Sequence, residues 1–217
     1  MTSLVRPELG PSLPAVIRAL PRWALLALGA LALLVVLGLA GVAALRDNVH
    51  TATAVVAQRP AFNLIWRENQ LRRVAPGPGE RLRLETPEGS DAPQRFVVRA
   101  LQLPSYRGEA GGEFPLFAAG LSDDLRAALP GFQPRGEGRT RVNELPGYQI
   151  VFQTKLGGRT AYGKRVLLLP DEPGAREGAD LELISTRSKG IPRPEAVGAN
   201  GALKTPLRSF RFGTQRP

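Results

Sequence analysis

Cysteine is absent from all 217 residues. That removes disulfides, thiolate metal sites, thiol nucleophiles and sulfur-linked lipid in one stroke. It does not fix the compartment, because a core of this size needs no covalent staple on either side of a membrane. Histidine is nearly absent as well. The single copy, His50, has only Asp47 as a carboxylate close by in sequence, so neither a histidine metal cluster nor a His-based triad can be assembled. It reads as a solvated or headgroup-level side chain. Lysine occurs only at Lys155, Lys164, Lys189 and Lys204, so arginine supplies nearly all of the net charge of +10. Together with the abundant Ala, Gly and Pro, that bias is what GC-rich coding produces, which halves its weight as functional evidence. A basic surface remains, since charge acts whatever its origin.

Catalytic constellations are also scarce. Asp123-Asp124 and Asp171-Glu172 are sequence neighbours, whereas glycosidase acid/base work needs two carboxyls facing each other across a sugar. The first pair reads as first-turn acids of a helix and the second as a turn after Pro170. A serine nucleophile would find no base among one histidine and four scattered lysines. Gly158-Arg159-Thr160-Ala161-Tyr162-Gly163-Lys164 has the glycine and lysine spacing of a phosphate loop. However, Arg165 stands where the Mg-binding hydroxyl belongs, and the stretch lies among β-formers rather than opening a helix. No catalytic residue, metal site or cofactor is expected.

What the sequence does contain is a long apolar run. Between Arg22 and Arg46 there is no charged residue. About 23 residues at 1.5 Å rise give roughly 34 Å, enough for a hydrocarbon core of about 30 Å. Trp23 suits the interface, and Arg22 and Arg46 bracket the run as snorkelling charges. A cleaved signal would find small residues at Val42-Ala43-Ala44, but its apolar core would run only about 7 to 15 residues, so a retained anchor is expected. Ala40 and Ala44 form a small-xxx-small pair that fits an Ala-rich span. Arg6, Arg18 and Arg22 with Glu8 precede the run, and Arg46 and Arg59 follow. This slight excess, with a short tail before a large domain, expects the N-terminus inside and the domain outside.

Beyond the run, apolar and polar residues alternate at period two. Phe62-Asn63-Leu64-Ile65-Trp66, Arg81 to Glu85 and Arg95 to Leu103 read as strands separated by the turn clusters Pro76-Gly77-Pro78-Gly79 and Pro87-Glu88-Gly89. From Pro115 to Leu129 the spacing of Leu116, Phe117, Leu121, Leu125 and Leu129 becomes helical, with Ser122 as an alternative cap for a shorter helix. Gly147 to Thr154, a turn at Leu156-Gly157-Gly158, and Thr160 to Leu169 form a hairpin. Asp180 to Thr186 follows as a strand, Glu195 to Leu207 is weakly helical, and Leu207 to Phe212 closes the domain. Strands, a central helix, then a hairpin and more strands specify an α+β class with helices packed on an antiparallel sheet, an α/β sandwich.

The order of these elements resembles the PsbP-like α/β sandwich, shared by photosystem PsbP proteins and secreted LpqN-type lipoproteins. The likeness runs over 62–212, through Phe62-x-Leu64-x-Trp66, the Phe96 strand, the Gly147-Tyr148 strand with its hairpin partner, and Ser209-Phe210-x-Phe212. Arg67 replaces the proline that often follows the opening aromatic, and the lipidated cysteine of LpqN-type proteins is missing. The resemblance implies a non-catalytic binding or assembly domain in an envelope or lumenal compartment, and it transfers no functional residue.

The expected organisation is therefore a cytoplasmic tail over 1–22, a single membrane span over 23–45, a stalk or lead-in strand over 46–60 and an extracytoplasmic domain over 61–213. The alternatives are a domain tethered on the cytoplasmic side, or an enzyme whose residues form no recognisable set. Four of the 29 basic and two of the 19 acidic residues precede His50, leaving the domain a charge of +8. Arg72, Arg73, Arg81 and Arg83 are the expected contacts to anionic lipid or a polyanion, provided they share a face. Aromatics are not interleaved with the arginine clusters, so nucleic acid is not an expected partner.

Overall fold

The structure, a computed structural model, describes residues 21–47, 50–104 and 110–215; the side chains of 22, 25, 28, 40–47, 110 and 111 are not part of that description. Arg6, Glu8 and Arg18 of the expected tail, and the side chains of the Ala40–Ala44 pair and of Val42-Ala43-Ala44, lie outside it. The chain divides into two compact units, Met1–Val49 and His50–Pro217.

The first unit contains helix α1, Arg22–Asp47, of 26 residues. It encloses the predicted 23–45 and is about 39 Å long at 1.5 Å per residue. Trp23, Leu31, Leu34 and Leu39 are all exposed on it. Among the described residues no helix is long and apolar enough to cross a membrane. The longest unbroken stretch of α1 with described side chains is Gly29 to Leu39, about 16 Å of helix. What the fold shows, then, is a helix over the predicted segment.

The second unit is built on a seven-stranded antiparallel sheet in the order β3 (Arg72–Val74), β4 (Glu80–Glu85), β5 (Gln94–Gln102), β9 (Glu177–Thr186), β8 (Arg159–Leu168), β7 (Leu145–Leu156) and β6 (Gln133–Val142). Side chains alternate between its faces. Leu82 and Leu84, Phe96 and Val98, Leu181 and Leu183, and Tyr162 and Val166 join one core with Phe62, Leu64, Trp66, Leu203 and Phe210. The opposite face of β7, β8 and β9 contributes Tyr148, Ile150, Phe152, Ala161, Leu167 and Ile184 to a second core with Phe114, Ala118 and Leu125 of helix α2, Ala110–Ala128. Burying large side chains on both faces is worth about 1.5–3 kcal/mol for each.

A second sheet, not foreseen as separate, lies against the first core: β1 (Thr51–Val56), β2 (Phe62–Arg67) and β10 (Arg211–Phe212), in the order β1-β2-β10. Of the two readings for 46–60, the structure takes the lead-in strand, with Thr51 opposite Arg67 and Val56 opposite Phe62. The closing segment is pinned to the opening one. Phe62 stacks on Phe210 at 5.5 Å, the Asn63 amide donates to the Gly213 carbonyl at 2.9 Å, and the Ile65 N–H donates to the Ser209 hydroxyl at 2.9 Å.

Several expectations are corrected. Helix α2 starts at Ala110 and runs through Pro115. Asp123 and Asp124 therefore sit mid-helix rather than in a first turn, and Asp123 pairs with Arg126 one turn on. No separate helix begins at Ser122. Helix between Glu195 and Leu207 is confined to a single 3₁₀ turn at Pro194–Ala196 and to α3, Lys204–Ser209. Gly198 and Gly201 take φ of 74° and 72° between them, a backbone no helix tolerates. The hairpin turn is as expected, Gly157 and Gly158 supplying φ of 55° and 77°.

Candidate functional site

The four candidate arginines are not one face. Cross-strand partners point to the same side of a sheet. Arg72 opposite Glu85 therefore lies with Arg83, while Arg73 opposite Leu84 lies on the other side. Arg81 occupies the bulge between Glu80 and Leu82 and donates to the Gln58 side chain at 2.9 Å. Arg72 pairs with Glu88 at 2.6 Å and Arg83 with Glu85 at 2.6 Å. Arg73 alone of the four has no such partner among the described residues.

Arg83 is instead one end of a charge network that sequence reasoning missed. On the face shared with α2, Glu182 of β9 receives Arg95 at 2.8 Å and Arg99 at 3.1 Å from β5, and Arg165 at 3.0 Å from β8. Arg165 also forks onto both oxygens of Asp180. Arg99 continues to Glu80 at 3.1 Å, and Glu80 to Arg83 at 3.5 Å. The register makes this possible, since Arg165 and Val97 both stand opposite Glu182. Burial works against the Glu182 carboxylate, but Arg165, Arg99 and Arg95 outweigh it and hold its pKa below the usual range. Burial likewise opposes the Arg165 charge, and Asp180 and Glu182 overrule it. The only signal in the sequence was a pair of charges, Asp180 and Glu182, on one face of an otherwise apolar strand. Four arginines balance four carboxylates here, so the whole excess of +8 lies elsewhere.

The phosphate-loop spacing runs from the hairpin turn at Gly158 into β8 and opens no helix. Gly163 is there because the Phe152 ring lies across it: an added Cβ would meet ring carbons at 2.1 to 2.8 Å. Lys164, next to it, points to the other face. It lines a recess of about 370 Å³ with Thr140, Gln149, Val166, Leu207 and Arg208. Its ammonium donates to the Glu195 carbonyl at 3.4 Å. Burial lowers its pKa, partly countered by the Glu195 carboxylate. Such a group gains by meeting an anion, which would restore the solvation it has lost. A second recess of about 530 Å³ lies on the other side of β6, between Phe114, Arg139, Pro146 and Gly147.

Elsewhere, Glu144, Asp171, Glu172 and Arg211 surround a mainly acidic depression beside Phe212. Asp171 and Glu172 lie in the loop after Pro170, as expected. His50 is exposed at the start of the domain. Among the described residues no three His, Cys, Asp or Glu side chains gather as a metal site would require.

The sequence matches no family model and no curated protein. The fold does find counterparts. The chain is similar to LpqN of Mycobacterium tuberculosis, a protein involved in cell envelope biogenesis, at 14% identity, covering 77% of this chain and 93% of that one with a TM-score of 0.49. It is similar to the cyanobacterial PsbP protein CyanoP of Synechocystis at 11% identity, covering 76% and 94% with a TM-score of 0.51. The likeness to CyanoP gives the domain a PsbP-like α/β fold, as the order of its elements implied.

Proposed function

We propose that this chain is a single-pass membrane protein whose α1 is the anchor and whose second unit is a non-catalytic binding or scaffold domain on the extracytoplasmic side, held against anionic lipid or wall polymer by its surface charge. One observation carries the electrostatic part. The network on β4, β5, β8 and β9 is internally neutral, so the excess of +8 carried by residues 50–217 lies outside it. Each basic residue near an anionic surface is worth about 1 kcal/mol, fading over a Debye length of about 10 Å at 0.1 M salt. A few such contacts hold a tethered domain down.

The anchor is supported by the uncharged run between Arg22 and Arg46 and by a backbone helical throughout it. The orientation is supported by the arginines of the tail. Because the cations are spread over both faces of the sheet, contact is through diffuse charge more than one patch. Arg73, with no ion-pair or hydrogen-bond partner among the described residues, is the candidate that contributes most directly.

Carbonate extraction of membranes should leave the full-length protein in the pellet, and protease added outside the membrane should digest the domain. Release into the supernatant would remove the anchor, and complete protection would place the domain on the cytoplasmic side. The isolated domain 50–217 should sediment with anionic vesicles at low salt and release as salt rises. Absence of binding at low salt would leave a protein partner as the target. Arg72→Glu with Arg73→Glu should weaken association only in proportion to the charge removed.

A further inference from the structure

Strand β6 ends the seven-stranded sheet, with β7 on one side and, among the described residues, no strand on the other. Its side chains are almost all exposed, and only Val142 is buried. The hairpin closes through Asn143 and Glu144, so Val142 faces Leu145, Arg141 faces Pro146, Thr140 faces Gly147 and Arg139 faces Tyr148. Antiparallel pairs alternate between those that exchange hydrogen bonds and those that turn their backbone groups outward. The Pro146 carbonyl is taken by Leu169, on the β8 side, so Arg141–Pro146 is an outward pair. Alternation then makes Arg139–Tyr148 and Glu137–Ile150 outward as well. The N–H and C=O groups of Glu137, Arg139 and Arg141 therefore face away from the sheet along a free edge, with no backbone partner among the described residues.

Natural edges are usually blunted, and β6 is blunted at its start by Pro134 and the bulge between Pro134 and Gly136. The rest is open. Gly136 and Gly138 leave nothing within 4 Å of where a Cβ would stand. The two recesses described above flank the edge on opposite faces, and both are lined by Thr140 and Arg141. An incoming strand sends alternate side chains to alternate faces, so one set would enter the recess with Lys164 and the other the recess with Phe114 and Pro146.

Charge decides what that strand is. Glu137 is engaged by the Tyr148 hydroxyl, whose pKa burial and Glu137 raise. Arg135 is tied to Gln133 and Gln153. Arg139 and Arg141 have no ion-pair or hydrogen-bond partner among the described residues, and both stand on the face of Tyr148 and Pro146. A second copy of β6 would set these arginines against their own kind. We propose that β6 is the docking strand for an extended acidic segment of a partner protein, added to the sheet edge through main-chain hydrogen bonds with its carboxylates on one face meeting Arg139 and Arg141 and its apolar side chains turned to the other. This identifies a partner for the binding domain without resting on its membrane contact.

The test uses the full chain in neutral detergent and the blocked peptide Val-Glu-Val-Glu-Val-Glu-Val, labelled for anisotropy. Binding should protect the Glu137, Arg139 and Arg141 amides from hydrogen exchange. Arg139→Pro removes an outward N–H while sparing the ladder to β7, and should weaken binding at least tenfold. Arg139→Glu with Arg141→Glu should do the same. A peptide N-methylated at alternate residues keeps the charge and loses one hydrogen-bonding edge, so it should fail, and it carries the test should Arg139→Pro not fold. Equal binding of the N-methylated peptide, equal competition by polyphosphate or anionic vesicles, or no binding of the parent peptide would each overturn the proposal. Membrane extraction and vesicle sedimentation are unaffected by any of these outcomes.

Discussion

Replacing Glu182 by Gln preserves shape while deleting the charge on which three guanidinium groups converge. The carboxylate is 5% exposed and receives Arg95 at 2.8 Å, Arg99 at 3.1 Å and Arg165 at 3.0 Å. Removing one member of a buried pair costs about 3–5 kcal/mol, because the partner charge stays buried. Two features reduce that here. Arg165 keeps Asp180, and the Arg95 and Arg99 side chains are 28% and 27% exposed, so water takes over part of their solvation. The expected loss is about 2–3 kcal/mol, a large share of the roughly 5–15 kcal/mol typical of a domain. Urea unfolding of residues 50–217 at pH 7 measures it. The pH dependence is a second handle. Its arginine neighbours depress the folded pKa of Glu182. Its contribution is thus complete above the unfolded carboxylate value of about 4.3 and is lost as pH falls through the lower folded value. The gap between variant and parent should close on that descent. Glu88→Gln, at a carboxylate 88% exposed, should leave the midpoint unmoved. A Glu182→Gln cost under about 1 kcal/mol, or a gap that ignores pH, would refute the assignment of a buried, mutually dependent network.

Gly163→Ala should destabilise by about 1–3 kcal/mol through overpacking against the Phe152 ring. A double variant with Phe152→Leu should lose less than the sum of the two single losses in the same urea assay. Glu144 is held at φ 68° in the β6–β7 turn, so Glu144→Gly should raise stability by ~0.5–1 kcal/mol, the relief of left-handed backbone exceeding glycine's unfolded entropy. Lys164→Met should be more stable than the parent at pH 7, and the advantage should shrink as pH rises. A lysine whose folded pKa is lowered burdens the native state only while it is protonated.

Much of the fold was legible because its strands are apolar or alternating runs bounded by turn residues. Arg81 to Glu85 buries one regular set of side chains, while Arg95 to Leu103 and the Gly147 to Leu169 hairpin, buried on both faces, are legible from their apolar runs and bounding turns. β6 was invisible for the opposite reason: Gln133–Val142 is proline, glycine and charge, the composition of a loop, and only its neighbour β7 makes it a strand. The three-residue β3 is too short to show a period. The start of α2 was misplaced because Pro115 reads as a first-turn residue, whereas this helix runs through it. The site was harder still. Arg165, Glu182, Arg95 and Arg99 lie on three strands, and a single strand does not name its cross-strand partners. The proposed arginine set failed as a face because a bulge at Arg81 and the opposite pointing of Arg72 and Arg73 cannot be read without register.

The pairing of β10 with β2 sets the order in which this domain can be finished. The Asn63 amide and the Gly213 carbonyl that bind each other are 150 residues apart in sequence, and Phe210, at the centre of the first core, belongs to the later segment. At about 5–20 residues per second of synthesis, β1 and β2 would wait several seconds as an open two-stranded ribbon, with Phe62, Leu64 and Trp66 uncovered. The growing chain would thus emerge with its first hydrophobic strands exposed and its closing clasp still to come. The nascent domain is vulnerable to misassociation for nearly the whole of its synthesis, and a truncation just before Ser209 would leave it permanently in that state.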